Sequence, residues 1–379
     1  MVIGQYIDVY PPQLDGVGRV ASSYAEELSA MGDECYYIAP RAPEVDDSPE
    51  YHTLFYSGIK MISEPYRIGT PLLDFKYLIE KGRIPFDIVH AHSPFIAGSE
   101  ALLMANRRGI PIVATFHSKY YDDFYSKTHS RALASLGTYF VVNFYNKCDE
   151  VWSVNEQSAQ VLREYGYKRE IIIMPNGTNA YTPDPELVAE TKRVYDLNDH
   201  PVFLFVGQMN WKKNLRITLQ SVALYAKEHP CRMMMVGQGP DQHEIARYVH
   251  ELNLSDIVTF TGHVADFDRL MSIYACSDLM IFPSLYDNAP MVLREAASVG
   301  TPAILMRGSC ASGGVVDRVN GLLCGNSPES IVECMKYGLE NRESLGAEAK
   351  RTIPIPWHDI IVKARERYIR LIEEKKRKN

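Results

Sequence analysis

The sequence lacks the patterns that mark disulfide-stabilised, zinc-binding and membrane-spanning proteins. Seven cysteines are scattered over 379 residues, an odd number with no CxxC pair and no adjoining histidine cluster. This spacing excludes a disulfide framework and a structural zinc site. No apolar run reaches the roughly 18 residues that a membrane-spanning helix needs. We therefore expect free thiols and a cytoplasmic protein.

An excess of positive charge is also missing. The formal net charge is −7, with 40 Lys and Arg against 47 Asp and Glu. A nucleic-acid-binding domain needs a basic face, so we expect no nucleic-acid partner. The N-terminal segment MVIGQYIDV has no cationic leader and carries Asp8 within its apolar run. It therefore indicates a first β-strand and not a signal peptide.

Short apolar runs alternate with helical patterns in both halves of the chain, as in VIGQYIDV, FDIVHAHS and, later, PVFLFVGQ. Such alternation predicts parallel βαβ units, and the length predicts two domains. We expect an α/β fold with two doubly wound Rossmann-like domains facing across a cleft. Residues 1–195 form the first domain and 196–357 the second, joined by a Pro- and Asp-rich linker at 181–201. A terminal helix over 358–379 docks back onto the first domain.

Ligands of doubly wound sheets bind beyond the carboxyl ends of the strands, so the loops there are the candidate sites. Gly16 and Gly18 follow the first strand and allow a ligand to approach a helix N-terminus, although an ordinary turn has the same pattern. Lys212 and Lys213 lie near the start of a later helix. Cations avoid this positive end of the helix dipole, which favours a shared anion over the alternative of a solvated loop.

The segment PSLYDNAPMVLREAASVGTP places Asp287 and Glu295 on either side of a helix start. Pro290 suits the first turn, where no backbone donor is needed, so the N–H groups of Met291 and Val292 are directed at an anion. Glu295 could accept hydrogen bonds from vicinal hydroxyls. The alternative is that Asp287 caps the helix and Glu295 is solvated on its outer face.

Taken in order, these segments resemble the GT-B fold glycosyltransferases, specifically family 4 of the retaining enzymes. The resemblance covers nearly the whole chain and is carried by YPPQLDGVGR, DIVHAHS, VATFHS, IIIMPNGTN, FLFVGQMNWKKN, MVGQGP, VTFTGHV, YACSDLMIFPS, the carboxylate pair and VNGLL. It implies transfer of a hexosyl unit from a nucleotide sugar, UDP-glucose or a related donor, to an acceptor hydroxyl with retention of configuration.

The resemblance also implies roles for individual residues. Glu295 holds the ribose hydroxyls, Asp287 holds the donor sugar, and Lys213 binds the diphosphate. His117 lies beside the sugar, so that the expected catalytic residues are His117, Asp287 and Lys213. The expected donor site comprises Gly16, Gln208, Lys212, Lys213, Gly237, Asp287, Met291, Val292 and Glu295.

Several positions depart from the family pattern. Gln208 stands where an Arg is usual, Asp287 where a Glu is usual, and Pro290 where a glycine is usual. Lys212 replaces a common Glu and could restore the charge lost at Gln208, while Gly313 corresponds to a frequent Glu. These departures leave the fold unaffected but leave the turnover and the donor sugar open.

No cofactor and no metal ion are expected, because the protein itself supplies the countercharge for the diphosphate. The adjacent acids of YYDDFY, residues 120–125, are a poor metal motif.

The acceptor is expected to bind in the first domain. Residues 116–147 mix aromatic and basic side chains, which suits an anionic membrane interface, although helix packing that buries the rings has the same pattern. The segment FHSKYYDDFYSKTHS resembles bacterial enzymes that glucosylate diacylglycerol. A lipid acceptor is therefore expected, with His92, Lys119, Tyr120 and Tyr121 as its contacts and His90 in a structural role. The terminal KKRK is a second candidate lipid contact.

The alternatives are a soluble, cell-wall or capsular saccharide acceptor, a nucleotide-sugar 2-epimerase, and a weakly active partner subunit. A lipid acceptor would place the protein on the cytoplasmic face of the membrane as a peripheral protein. The sequence does not predict the oligomeric state.

Overall fold

The structure is a computed structural model that describes residues 1–9, 16–41, 49–60, 67–197 and 199–378. The chain divides into two compact units, one formed by residues 1–177 with 357–379 and the other by residues 178–356.

The first unit is built on a seven-stranded parallel sheet with strand order β3-β2-β1-β6-β7-β8-β9, and β4 pairs with β5 in a separate antiparallel hairpin. Its central strands are buried along their whole length, which explains their continuous apolar runs. The strands are β1 (Val2–Tyr6), β2 (Glu34–Pro40), β3 (His52–Tyr56), β4 (Gly58–Lys60), β5 (Arg67–Gly69), β6 (Ile88–Ala91), β7 (Ile112–Phe116), β8 (Glu150–Ser153) and β9 (Ile172–Ile173). The helices are α1 (Gly16–Ala30), α2 (Phe75–Arg83), α3 (Ile96–Arg108), α4 (Tyr120–Thr128), α5 (Arg131–Asn146) and α6 (Glu156–Glu164).

The second unit repeats this plan with a six-stranded parallel sheet of order β12-β11-β10-β13-β14-β15. The strand order reverses between β10 and β13, the point at which open α/β sheets bind ligands. The strands are β10 (Val202–Val206), β11 (Arg232–Val236), β12 (Val258–Gly262), β13 (Leu279–Phe282), β14 (Ala303–Met306) and β15 (Leu322–Cys324). The helices are α7 (Pro185–Val194), α8 (Leu215–Ala226), α9 (Gln242–Glu251), α10 (Phe267–Ala275), α11 (Met291–Ser298), α12 (Pro328–Glu340) and α13 (Arg342–Thr352).

The last helix, α14 (Trp357–Lys378), belongs to the first unit and packs against α1. Its apolar face is buried, and Trp357 lies over Gly177, where a Cβ atom would collide with the indole ring. Ion pairs flank the contact, because Arg365 Nε donates to Asp33 Oδ2 at 2.6 Å and Arg367 Nε to Glu150 Oε2 at 2.8 Å.

The predicted linker at 181–201 contains helix α7, so its Pro and Asp residues have a different function. Asp184 caps the helix by accepting a hydrogen bond from the Glu186 N–H at 2.9 Å, and Pro185 occupies the first turn. Both are favourable helix-start residues. Thr191 Oγ1 and Ser272 Oγ lie 2.7 Å apart, which joins α7 to α10 of the second unit. The sequence-based border after residue 195 had assigned this helix to the first domain.

Two doubly wound Rossmann-like sheets confirm the predicted fold class. No helix in the described ranges is both long enough and apolar enough to cross a bilayer.

Candidate active site

Glycines line the strand ends of the second unit and let its loops pack closely. Gly237 follows β11 with a φ of 125°, which disfavours other residues. A Cβ atom at Gly237 would collide with the carbonyl oxygen of Gly207, which follows β10. Packing alone therefore requires glycine at position 237, and its contact with a donor stays a prediction.

The two lysines after β10 lie in a short 3-10 turn, Trp211–Lys213, whose conformation is fixed by asparagines. Asn210 Oδ1 accepts a hydrogen bond from the Lys212 N–H at 2.9 Å. Asn214 adopts a left-handed conformation with a φ of 62°, and its Nδ2 donates to the Pro283 carbonyl at 3.2 Å. The turn is thereby held beside the loop that follows β13.

Lys213 and Asp287, predicted to share the donor site, form an ion pair with 2.5 Å between Nζ and Oδ1. Both side chains are mostly buried, with exposures of 14% and 17%. The Asp287 N–H donates to Ser284 Oγ at 3.3 Å, which orients the loop. Asp287 Oδ2 is buried and accepts no hydrogen bond from the described part of the chain. A carboxylate oxygen in this state can accept a hydrogen bond from a ligand hydroxyl.

Helix α11 begins at Met291, and Pro290 is its N-cap in an extended conformation. The first N–H groups of a helix have no acceptor within it, so those of Met291 and Val292 can bind an anion. Glu295 is only 2% exposed, and its Oε2 accepts a hydrogen bond from the Tyr274 hydroxyl at 3.0 Å. The alternative with a capping Asp287 and a solvated Glu295 is therefore wrong.

Three other positions of the second unit that the sequence pattern singles out have different environments. Lys212 Nζ lies 5.1 Å from the centroid of the Tyr286 ring, in a cation-π contact. Gln208 is exposed at the end of β10. Gly313 ends a 3-10 turn after β14 with an ordinary φ of −58°. Tyr274 and Tyr286 were not predicted, because nothing in the sequence separates them from other aromatic core residues.

Three polar side chains of the first unit meet at the ends of neighbouring strands. His92 follows β6, His117 follows β7, and Gln5 lies in β1, which pairs with β6. His92 Nε2 lies 2.8 Å from Gln5 Oε1, and His92 Nδ1 lies 3.2 Å from His117 Nε2. The structure thus brings together the two predicted histidines through a buried row that includes Gln5.

This row determines the protonation of its members. Because the Gln5 Oε1 carbonyl oxygen can only accept, His92 carries its proton on Nε2 and its Nδ1 accepts from the Nε2–H of His117. Burial lowers the pKa of His117 to about 3, so the ring is neutral at physiological pH. A neutral His117 that donates through Nε2 has its Nδ1 unprotonated.

His90 has the contacts of a structural residue, as predicted. Its Nε2 lies 2.7 Å from Thr115 Oγ1, and its Nδ1 lies 2.6 Å from the hydroxyl of Tyr368 in α14. The ring also packs edge-on against Trp152. Burial and nearby His117 keep the pKa of His90 well below its ordinary value.

Asp8 is a further polar residue at the carboxyl ends of these strands, and it is half-buried. It accepts hydrogen bonds from the Ser93 hydroxyl and from the Ala97 N–H, the latter at 3.0 Å, and so holds the start of α3. Burial raises the pKa of Asp8, while these two hydrogen bonds oppose the shift. A single Asp inside the apolar run VIGQYIDV was the available signal.

The predicted acceptor residues around α4 have different environments. Lys119 is the N-cap of α4, and Tyr120 is buried in the core, with its ring edge-on to Phe95 and Phe116. Tyr121 is partly exposed and lies parallel to Tyr125, with ring centroids 6.4 Å apart. The ring of Tyr120 therefore has a packing role, and acceptor contacts of Lys119, Tyr120 and Tyr121 stay predictions.

Helices α4 and α5 also present an apolar surface, called here the α4–α5 surface. It consists of exposed large side chains, namely Tyr125, Leu133, Leu136, Tyr139 and Phe140. In contrast, Phe144 and Tyr145 of the same segment are buried. Packing thus explains Phe144 and Tyr145, and the membrane interpretation stays a prediction for the exposed residues.

Gly16 and Gly18 differ in the space around them. A Cβ atom at Gly18 would lie 3.2 Å from Val9 Cγ2, so packing favours glycine there. A Cβ atom at Gly16 would meet no described atom within 4 Å. Packing within the described ranges therefore does not explain Gly16, and its predicted role in donor binding stays open.

The described ranges contain no group of three or more His, Cys, Asp or Glu residues that could hold a metal ion.

Family profiles and named relatives match most of the chain. The profile of Glycosyltransferase Family 4 matches residues 14–180, and that of Glycosyl transferases group 1 matches residues 189–352. Alpha-monoglucosyldiacylglycerol synthase of Streptococcus pneumoniae is 23% identical, over 85% of this chain and 75% of its own length. The protein of the same name from Acholeplasma laidlawii is also 23% identical, over 92% and 91%.

Solved structures share the fold at lower identity. Anabaena HepE, in complex with UDP and glucose, has a TM-score of 0.77 and 15% identity, covering 96% of this chain and 98% of its own. Sucrose-phosphate synthase from Thermosynechococcus elongatus has a TM-score of 0.80 and 19% identity, covering 98% and 99%. The two family profiles together match most of the chain, and the predicted resemblance is confirmed: the chain belongs to the GT-B glycosyltransferases, with a family 4 domain followed by a group 1 domain.

Proposed function

We propose that the protein transfers a hexosyl unit from a UDP-sugar, UDP-glucose or a related donor, to a hydroxyl group of a membrane lipid such as diacylglycerol, with retention of configuration. The observation that carries this proposal is the arrangement at the strand-order reversal of the second unit. There the Lys213–Asp287 ion pair joins the turn after β10 to the loop that leads to α11. Glu295 is buried one and a half turns into the same helix.

The bound donor is proposed to contact both members of the Lys213–Asp287 ion pair. Its diphosphate binds Lys213 and the N–H groups of Met291 and Val292, while hydroxyls of its sugar donate to Asp287. The buried Asp287 Oδ2, which has no partner in the described chain, supports the second contact. Glu295 accepts hydrogen bonds from the ribose hydroxyls. The relative HepE, solved with UDP and glucose, supports UDP as the nucleotide.

The reaction breaks the bond between the anomeric carbon and the diphosphate oxygen and forms a bond from that carbon to the acceptor oxygen. Negative charge develops on the diphosphate as it leaves, and Lys213 with the start of α11 stabilises it. The acceptor proton passes to the leaving diphosphate when attack occurs on the same face, which retains the configuration. His117 is proposed to lie beside the sugar, as the family resemblance implies.

A lipid acceptor is favoured by two observations. Two relatives are named as alpha-monoglucosyldiacylglycerol synthases and align over most of this chain. The α4–α5 surface exposes Leu133, Tyr139 and Phe140, at 53%, 65% and 61%. Exposed cations, Arg131 and Lys147, lie at the two ends of α5. Apolar side chains bordered by cations suit the interface of an anionic membrane, so the protein is proposed to bind membranes peripherally.

The proposal is tested by screening UDP-sugars against diacylglycerol, monoglycosyl lipid and soluble sugars, following UDP release and product mass. We expect lipid-dependent UDP release and an α-linked glycolipid product. Replacing Lys213 or Glu295 by alanine should reduce turnover by about 10² or more, because each removes a charged contact to the donor. Lys227→Ala, an exposed change at the end of α8, is the matched control. Unchanged turnover in both site variants would contradict the site, and turnover only with soluble sugars would contradict the lipid acceptor.

A further inference from the structure

Helix α2 has the reverse of the usual distribution of polar and apolar residues. It buries Lys81, which is 6% exposed, and Tyr77, yet it exposes Phe75 at 79% and Ile79 at 57%. The preceding 3-10 turn, Pro71–Leu73, exposes Leu73 at 77%. We call this apolar surface the α2 face; it comprises Ile59, Ile68, Leu72, Leu73, Phe75 and Ile79, all exposed.

The orientation of α2 is fixed by polar contacts. Lys81 forms a buried ion pair with Glu100 of α3, and the Tyr77 hydroxyl donates to the same carboxylate at 3.2 Å. Asp74 caps the helix through the Tyr77 N–H at 3.0 Å. Rotating α2 to bury Phe75 would separate the buried ion pair, which is strongly unfavourable. The apolar residues are therefore held outward, and a contiguous exposed apolar patch of this kind indicates an interaction site.

The α2 face is bordered by a groove that leads to the start of α3. This groove has a volume of about 310 Å³ and is lined by Leu72, Leu73, Ile96 and Leu103, among others. Ile96 is the first residue of α3, and its neighbour Phe95 is 43% exposed. The Phe95 ring contacts Tyr120 and Phe124 of α4, with centroids 5.4 and 6.2 Å apart. Phe95 thus lies between the groove and helix α4.

The charges beside the α2 face are mainly positive. Lys76 and Arg83 are exposed on α2, and Arg107 is exposed at the end of α3. The exposed acid Glu80 of α2 lies 3.8 Å from Lys76 and offsets one of these three positive charges. Cations that flank apolar side chains favour an anionic lipid surface over a neutral or basic protein partner.

We propose that the α2 face docks onto a lipid bilayer that contains anionic lipids. Leu73, Phe75 and Ile79 enter the acyl region, and Lys76 and Arg83 contact the headgroups. The groove between Leu72 and Ile96 then faces the bilayer and leads an acyl chain toward the start of α3, which follows His92 closely in the sequence. This inference rests on the proposed lipid acceptor and adds a second membrane contact that the sequence pattern did not reveal.

The test is co-sedimentation of the full chain with phosphatidylcholine vesicles that contain roughly one-third phosphatidylglycerol. The double variant Phe75→Ser, Ile79→Ser should lose at least about tenfold in vesicle affinity, since it removes two large apolar contacts. Lys76→Glu with Arg83→Glu should weaken binding to the anionic vesicles only. The matched control is Val194→Ser with Val316→Ser, two exposed apolar positions of the second unit. Equal vesicle binding by the Phe75/Ile79 variant and the control would overturn the proposal.

Two further measurements separate this inference from competing explanations. Sedimentation velocity without lipid shows whether the chain dimerises through the α2 face. If the wild type is a dimer and the Phe75/Ile79 variant is a monomer, lipid docking by this face is overturned. Leu72→Ser with Leu73→Ser repeats the test from the adjoining turn, and thermal unfolding verifies that each variant is folded. Wild-type binding that depends on Phe75 and Ile79 without any lipid glycosylation would support docking and reject the proposed acceptor. If the protein glycosylates lipid but the Phe75/Ile79 and Leu72/Leu73 variants bind vesicles like the wild type, docking through the α2 face is rejected and the proposed acceptor is not.

Discussion

The strand ends of the two units carry opposite kinds of chemistry. In the second unit a lysine and a carboxylate, Lys213 and Asp287, form an ion pair near the start of α11. In the first unit Gln5, His92 and His117 form a neutral, buried row of hydrogen bonds. The same doubly wound plan thus carries a charged pair in one unit and hydrogen bonds between uncharged groups in the other. We propose that this division matches a charged diphosphate on the donor and hydroxyl groups on the sugar and acceptor.

The ion pair gives the largest predicted effect. Asp287→Asn should lower kcat by about 10², because the sugar loses a charged acceptor. UDP should nevertheless bind at least as tightly, because Lys213 is released from its carboxylate partner. Steady-state kinetics and calorimetry on the same variant separate these quantities, with the exposed Asp256→Asn as control. A weaker UDP affinity with unchanged kcat would reverse the proposed roles.

The histidine row predicts a loss of stability in mild acid. Burial lowers the pKa of His117 from 6.5 to about 3, so the unfolded chain binds a proton that the folded chain excludes. The stabilisation is complete above pH 6.5 and is lost as the pH falls toward 3. At pH 5 this loss amounts to about 2 kcal/mol for this residue. Chemical denaturation at pH 7.5 and 5 should show it, and His117→Asn should show a smaller decrease. Identical decreases in both proteins would reject a buried neutral His117.

The order of hydrogen bonds within the row is tested through its middle member. His92→Phe removes the acceptor for His117 Nε2–H and the donor for Gln5, so kcat should fall by about tenfold while KM for the donor changes little. His92→Asn retains part of this bonding and should recover some activity. A variant that changes only the unfolding temperature, with kcat preserved, would limit His92 to a structural role.

The hydrogen bond between Tyr274 and Glu295 predicts the smallest effect. Tyr274→Phe removes the hydroxyl that donates to Glu295 Oε2 at 3.0 Å. Glu295 remains charged but is less well oriented, so the Kd for UDP should rise by about fivefold, as expected for one hydrogen bond of about 1 kcal/mol. Calorimetry measures this change directly. If Tyr274→Phe lowers the unfolding temperature but leaves the Kd for UDP unchanged, Tyr274 has no role in nucleotide binding.

The fold could be predicted because its signals are local. Buried parallel strands require continuous apolar runs, and helix starts require residues such as Asp184 and Pro185, although here those two residues suggested a linker rather than α7. The pattern also identified the loops after the strands, where Lys213, Asp287 and His117 lie.

Side-chain pairing could not be predicted, because it depends on residues distant in the sequence. Lys213 and Asp287 are 74 positions apart, and His90 and Tyr368 are 278 apart. The outward orientation of Phe75 depends on Glu100 of another helix, which pairs with Lys81. Periodicity within α2 gives no indication of which of its faces is buried.

The central claim is that a nucleotide diphosphate binds Lys213 and the start of α11. Isothermal titration of UDP into the full chain, compared with Lys213→Ala, tests it most directly. We predict that one UDP binds per chain. The Lys213→Ala variant should bind UDP at least about tenfold more weakly, because it loses a charged contact of about 1.5 to 3 kcal/mol. Equal affinities of the two proteins, or no binding to the wild-type chain, would contradict it.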